Sequence, residues 1–443
     1  MPAHPIPTRS LDRRDFLKLT AAATTATMLA PWLRADQPAR PPRPFEIAAP
    51  LYAWDLHDEG VIRILDDLQE MCAVNSVYLV GVMHPERRPF PDPNGTYPHN
   101  PKRQSYQVED GRSYWLPDAS LYGRVKPRLS DHDWLNRTDW LHELVTEARK
   151  RGLKTGVEFS HTLIDAERMQ GEFADLAQRN VHGEVTAEGR IKWLRPPCPN
   201  HPATSDYFLA MGLDAVVNHD VDLVQSCIMS FDPGKPEQGG GCFCGHCKRT
   251  AKALGMDLDR IQAALLADIH DSGAIAEWTL FRNRSNVLFY KKLSDGIHAK
   301  KPTVDLRYNA PSPSYLYYGV DLALMRPVLN SVRLTDYAEQ EAKPERMAAK
   351  RQWLAERRQE VGPDFPLIAA LGVRLHATEG IGPRGHPHRP GNRDERRHVG
   401  PLRLRHLRPA PHGPLRPGRR RRPGRVLQGR ARSKRLVAAG FIL

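Results

Sequence analysis

The sequence predicts an α/β fold of the (β/α)8, TIM-like barrel class, incomplete at its C-terminus and followed by a disordered basic tail. Three observations predict it. Short β-branched runs alternate with segments of helical periodicity from Phe45 to Leu371, the pattern of parallel strands joined by crossover helices. Seven such runs occupy about 330 residues, a length that suits one barrel better than two doubly wound sheets. No Gly-x-Gly-x-x-Gly follows the first run and no Walker A sequence occurs, which sets the nucleotide-binding folds aside.

The elements follow in order. Residues 1–35 are predicted to be a twin-arginine signal. Asp12-Arg13-Arg14-Asp15-Phe16-Leu17-Lys18 supplies a positive start, and the 12 apolar-rich residues Leu19–Ala30 follow it. That stretch is too short for a bilayer, which needs roughly 20 apolar residues, and Ala35 stands where cleavage would fall. Residues 36–44 read as a Pro/Arg linker, and residues 45–376 as the barrel.

Within it, Phe45–Leu51 and Ser76–Val82 read as strands, with a helix at Val61–Ala73 between them. A long polar loop, His84–His132, carries Trp and Tyr residues that argue for order. A helix is expected at Trp134–Arg151 with Gly152 as its stop, then a strand at Lys154–Phe159 and a helix at Leu163–Gln178. Thr204–Asn218 reads as a helix, Leu223–Ser230 as a strand, and Asp257–Ile269 and Ala274–His298 as helices. Strands at Thr303–Asn309, Ser331–Thr335 and Pro366–Leu371 complete the set, with a helix at Ala342–Val361. The eighth strand is expected where residues 377–443 now stand.

Charge is distributed unevenly. The net charge of +14 resembles a nucleic-acid binder's, but the last 63 residues hold 17 Arg, one Lys and two acids. The rest holds 47 Lys+Arg against 49 Asp+Glu, so the body is near neutral. A segment such as Arg416-Pro-Gly-Arg-Arg-Arg-Arg-Pro423 buries too little apolar surface to offset its ordering entropy. It reads either as a basic arm for polyanions or as the product of a frameshift in a GC-rich gene. The scarcity of Lys favours the frameshift, and nucleic acid is not the expected partner.

Catalytic groups of a barrel stand at the C-terminal ends of its strands. Those ends supply Glu158 and His161, Asp232, Arg307 with Asn309, Asp336-Tyr337 with Glu339, and His84. The set is rich in carboxylates, and paired carboxylates suit glycoside hydrolysis: one, neutral, protonates the leaving oxygen while another attacks or activates water. Glu158, Asp232 and Glu339 are the candidate catalytic acids. His84, His161, Arg307, Asn309, Asp336 and Tyr337 are candidates for binding substrate, with Tyr308, Trp115 and Tyr122 as further aromatics for sugar faces. Each also has a plainer reading: Glu158 as a buried partner of Arg307, Asp232 as the start of a turn, Asp336 as a helix cap.

Cys242-Phe-Cys244-Gly-His246-Cys247 gathers three of the six cysteines. Thiolates at this spacing suit a structural Zn²⁺ ion, with a fourth ligand from His246, Cys198 or elsewhere; a disulfide is the rival. No catalytic cofactor is expected. Cys72 and Cys227 sit in apolar runs and read as buried thiols.

Cys198-Pro-Asn-His-Pro202 with the helix behind it, the run SCIMSFDPG and the following GGGCFCGHC together resemble the TIM-barrel glycoside hydrolases of exported bacterial proteins. The resemblance covers residues 45 to 375 and implies a carbohydrate-active barrel. It implies acid positions at Glu158 and Asp232 and places Tyr337 and Glu339 in a strand-end segment. The chain departs from a complete member in lacking the last strand.

The expected function is therefore hydrolysis of an extracytoplasmic poly- or oligosaccharide. The alternatives are a non-catalytic carbohydrate-binding barrel and a polyanion binder acting through the tail. The expected partners are the carbohydrate and the twin-arginine export machinery, with no stable membrane span after cleavage and a periplasmic or extracellular destination.

Overall fold

The computed structural model describes residues 45–83, 112–159, 168–169, 171–186, 197–227, 231–232, 234–311, 319–341 and 343–371. The signal, the linker, His84, His161 and the basic tail lie outside them.

Seven parallel strands form the sheet. They are β1 (Ala48–Leu51), β2 (Ser76–Met83), β4 (Lys154–Phe159), β5 (Leu223–Cys227), β6 (Asp305–Pro311), β7 (Ser331–Thr335) and β8 (Leu367–Ala369), hydrogen-bonded in that order. The two-residue β3 (Arg112–Ser113) adds to β2 antiparallel. All seven expected strands are present. β6 starts two residues later than Thr303 because Asp305 is the first residue paired to β5.

The strand sequences sort two faces. Val77, Leu79, Val157, Val224, Leu306, Tyr308, Val332 and Leu334 pack outward with the helices in the main core. Alternate residues face inward. Ala48, Tyr78, Leu223 and Ile368, from four different strands, form their own buried cluster. Non-neighbouring strands touch there, so the sheet is curled. Two ion pairs repeat the message: Lys154 of β4 lies 3.0 Å from Asp305 of β6, and Glu46, ahead of β1, lies 2.9 Å from Arg307 of β6. Gly156 makes this inner packing possible, since a Cβ there would sit 2.7 Å from the Leu223 Cβ. Among the described residues β1 pairs only with β2 and β8 only with β7, which leaves an open seam between them.

The crossovers are α1 (Ala53–Glu59), α2 (Val61–Cys72), α3 (Asp133–Asn136), α4 (Trp140–Lys150), α5 (Pro202–Val217), α6 (Gly245–Ala253), α7 (Leu258–Ala267), α8 (Ser272–His298), α9 (Leu322–Met325) and α10 (Pro344–Val361). The expected helix Trp134–Arg151 is two helices. Asp139 interrupts it by accepting the His142 N–H at 2.9 Å, which starts α4 afresh. Gly152 follows it at φ +67°, as its predicted role as the stop requires.

The helix expected at Leu163–Gln178 does not reach its proposed end. Ala174–Leu176 is a single 3-10 turn and Ala177 bridges Pro197. The loop expected after β5 contains a helix, α6, which begins immediately after Cys244. Among the described residues no helix is long and apolar enough to cross a membrane.

Candidate functional site

The inward positions at the C-terminal end of the sheet are polar. β4 contributes Glu158, β5 Gln225 and Cys227, β6 Asn309 and β7 Arg333. The register aligns Glu158 with Gln225, and Cys227 with Asn309 and then Arg333. Strand alternation therefore builds a layer of hydrogen-bonding groups above the apolar cluster of Tyr78 and Leu223.

Glu158 is buried and accepts a hydrogen bond from Gln225 Nε2. Burial pushes its carboxyl pKa above the usual range, and the opposing pull of Arg333 and of the Gln225 amide is smaller. Arg333 donates to the Tyr337 hydroxyl at 3.2 Å, and its charge also acts on Tyr78. Asn309 donates to Cys227 Sγ at 3.0 Å and accepts from the Thr335 hydroxyl. Tyr337 stands 41% exposed beside this layer. Glu158, Asn309 and Tyr337 are thus brought to one end of the barrel.

The other expected site residues are placed elsewhere or engaged otherwise. Arg307 is fully buried one inward layer below Arg333, with its guanidinium turned toward the strand starts. It is bound there to Glu46 at 2.9 Å and Asp305 at 2.8 Å, not to Glu158. Asp232 closes a turn by accepting the Gly234 N–H at 2.8 Å, and its backbone carbonyl holds Arg282. Its described contacts belong to the cysteine lobe. Glu339 is ion-paired to Lys350 at 2.6 Å, and Asp336 to Arg346 at 3.0 Å. Of the aromatics expected to stack on sugar, Trp115 and Tyr122 are buried and donate to Asp214 of α5. Tyr308 is buried on the outer face against Tyr290. Packing claims those three rings, and only Tyr337 presents a face.

Sequence reasoning missed Arg333, Gln225 and Tyr78. A signal was available: a polar or charged residue at the inward position of an otherwise apolar strand, as in Ser331-Val-Arg-Leu-Thr335 and Leu223-Val-Gln-Ser-Cys227.

A second centre lies on a separate apolar cluster. The sulfurs of Cys198, Cys242, Cys244 and Cys247 all lie within 4.8 Å of one another, and none forms a disulfide. Cys198 comes from the segment leading into α5 and the others from the loop and first turn of α6. The sulfurs accept further hydrogen bonds. The Arg179 N–H reaches Cys242 at 3.3 Å and the Asn200 amide reaches Cys247 at 3.3 Å. Buried Arg282 stacks on Trp278 at 4.2 Å, and its charge acts on Cys242 and Cys247. His246 is outside the set: its Nδ1 faces Arg249 at 2.9 Å and its ring lies against His201. One residue before Cys247 on the same helix start, it points away from the sulfurs, and Cys198 takes the fourth position. Four cysteine sulfurs, with N–H donors around them and a buried cation beside them, fit a closed tetrahedral metal site.

No family model matches the sequence, and no curated protein matches it. Among solved structures it is similar to a β-galactosidase from the psychrophilic Marinomonas ef1 at 9% identity. That match covers 66% of this chain and 41% of that one, with a TM-score of 0.38. It is similar to a cold-adapted β-galactosidase from Rahnella sp. R3 at 13% identity, covering 66% and 39%, with a TM-score of 0.39. It is also similar to an α-L-fucosidase from Paenibacillus thiaminolyticus at 14% identity, covering 62% and 32%, with a TM-score of 0.36. The chain spans well under two thirds of each of these proteins. The assignment to a curled, incomplete barrel rests on strand order, parallel register and the inward layers of this chain itself.

Proposed function

We propose that the protein is a glycoside hydrolase whose proton donor is Glu158. The observation that carries the reading is the position of Glu158: inward-facing, buried, at the C-terminal end of its strand, with a carboxyl that burial keeps protonated to higher pH. A leaving sugar oxygen needs such a neutral acid. Glu339 and Asp232 are the candidate second carboxylates, and Tyr337 offers a face to a sugar ring. The four-cysteine centre holds a structural zinc ion, since a closed set of four thiolates leaves no position for substrate. The Arg13-Arg14 motif supports export of the folded, metal-loaded chain to a periplasmic or extracellular setting.

The test is turnover of a panel of aryl glycosides with good and poor leaving groups. Glu158→Gln lowers the rate by about 10²- to 10⁴-fold on poor leaving groups and far less on good ones. Equal turnover by the variant on both ends this reading. The ion pair of Glu339 with Lys350 and the turn role of Asp232 favour one competing reading, a barrel that binds carbohydrate without cleaving it. Saturable binding with no turnover by the unaltered protein selects that alternative.

A further inference from the structure

We propose that the barrel mouth selects an acidic saccharide, whose carboxylate or sulfate group is received by the Arg333 guanidinium. The inference rests on the carbohydrate reading above and names its substrate class.

Four arginines are buried among the described residues: Arg282, Arg307, Arg333 and Arg357. Three have their charge answered from within. Arg307 is held by Glu46 and Asp305, and Arg357 by Glu360 at 3.0 Å. Arg282 lies among backbone carbonyls, the cysteine sulfurs and Asp232.

Arg333 differs. It is 5% exposed, and among the described residues no carboxylate stands within ion-pair distance of it. Among the described residues its one hydrogen bond goes to a neutral hydroxyl, that of Tyr337, and its Nε has no partner. The carboxyl near enough to act on it is Glu158, which burial drives toward the uncharged form. When Glu158 is protonated, the mouth layer carries one cation uncompensated among the described residues.

A buried, unpaired charge is costly, and a structure retains it where something else supplies the counter-charge. A guanidinium matches the planar pair of oxygens of a carboxylate, or two oxygens of a sulfate, through parallel N–H donors. Two more polar groups stand here on fully buried residues: the Tyr78 hydroxyl, which the Gln225 side chain reaches, and the Gln225 side-chain oxygen, unpartnered among the described residues. The Gln225 oxygen can accept from a sugar hydroxyl, and the exposed Tyr337 can cover a ring face. The mouth therefore pairs one anion receptor with neutral hydrogen-bonding groups, as an acidic sugar requires.

The arrangement also couples binding to protonation. A ligand anion beside Arg333 repels ionised Glu158 and so favours its protonated form. Conversely, ionised Glu158 answers the arginine and competes with the ligand. Affinity for an acidic sugar falls as pH rises through the Glu158 titration.

Calorimetric titration tests this with an oligogalacturonate, a sulfated galactan oligosaccharide and neutral galacto- and cello-oligosaccharides. The unaltered protein is expected to bind an acidic probe more tightly than any neutral one, and the better of the two acidic probes identifies the anion. Arg333→Gln is expected to weaken that binding about 30-fold or more, as removal of one partner of a buried charge pair does. Arg333→Lys, which keeps the charge, recovers part of it. The pH dependence of acidic-probe affinity is expected to vanish in Glu158→Gln.

Equal affinity for neutral and acidic probes overturns the proposal, as does a pH-independent affinity in the unaltered protein. If neutral sugars alone bind and are cleaved, the proposal fails while the hydrolase reading stands. If no sugar of either class binds, both fail.

Discussion

Arg307 of β6 reaches across the N-terminal end of the barrel to Glu46, ahead of β1, at 2.9 Å. The two strands are not neighbours in the sheet, so the pair is a chord across the curled interior. Asp305 at 2.8 Å and Ser331, which accepts from Arg307 Nε at 2.8 Å, complete its surroundings. At this end of a barrel, polar networks serve stability rather than chemistry.

Arg307→Met is expected to destabilise the fold by about 3 kcal/mol, because it strands two buried or half-buried carboxylates. Equilibrium urea unfolding measures it, and an unchanged KM separates this role from substrate binding. The pH dependence follows. Burial pushes the Glu46 carboxyl up, but Arg307 and Lys154 outweigh that and hold it below its usual range. The contribution is complete above the unfolded pKa of about 4.3. It is lost as pH falls through the lower folded value. Glu46→Gln should flatten that acid limb; an unaltered limb contradicts the assignment.

The contrast between Arg307 and Arg333 shows where the sequence is legible. Both are inward residues on neighbouring strands, and both interrupt an apolar run. Strand identity and order follow from β-branched runs and caps, which are local properties, so all seven parallel strands were readable. Which end of the barrel a side chain serves depends on the stagger between strands. The register pairs Arg307 with Ser331 and Asn309 with Arg333, one inward layer apart. A single sequence carries no trace of that stagger, so it offers Arg307 for the mouth and passes over Arg333. Asp232 shows the same limit in a loop: an Asp before Pro-Gly reads equally as an acid or a turn, and the Gly234 hydrogen bond shows that the turn forms. The cysteines were legible as a cluster because three fall within six residues. The fourth, Cys198, is 44 residues away from Cys242 in the chain, and only the fold singles it out.

That fourth ligand gives the next prediction. Cys198→Ser is expected to lose bound zinc and to lower the melting temperature, whereas His246→Ala keeps one zinc per chain. Metal content by mass spectrometry and release to a chromogenic chelator decide it. Chelation of the unaltered protein should also expose thiols to a thiol reagent, since three of the four sulfurs belong to buried residues. Zinc retained in Cys198→Ser and lost in His246→Ala would refute the four-sulfur site.

The described part of the segment between β2 and α4, residues 112–139, is held to α5 by a polar cluster. Asp214 of α5 accepts from Trp115 Nε1 at 2.9 Å and from the Tyr122 hydroxyl at 2.8 Å. His219, just past α5, bonds Asp139 at 3.0 Å, and Asp139 accepts the Leu116 N–H at 3.2 Å. Burial pulls the His219 pKa down, but the hydrogen bond and charge of Asp139 outweigh it and leave the pKa raised. The imidazolium pair therefore stabilises the clamp fully below the unfolded histidine value of about 6.5 and ceases to do so as pH rises through the folded value. Asp139→Asn is expected to cost about 1 kcal/mol on the acid side of that range, and less above it. Hydrogen exchange of the 114–122 amides should quicken in the variant under the same conditions. His219→Gln, which keeps a neutral side-chain amide in place of the imidazolium, should remove the pH step while retaining most of the protection. A pH step of undiminished size in both variants would show that some other group governs the loop.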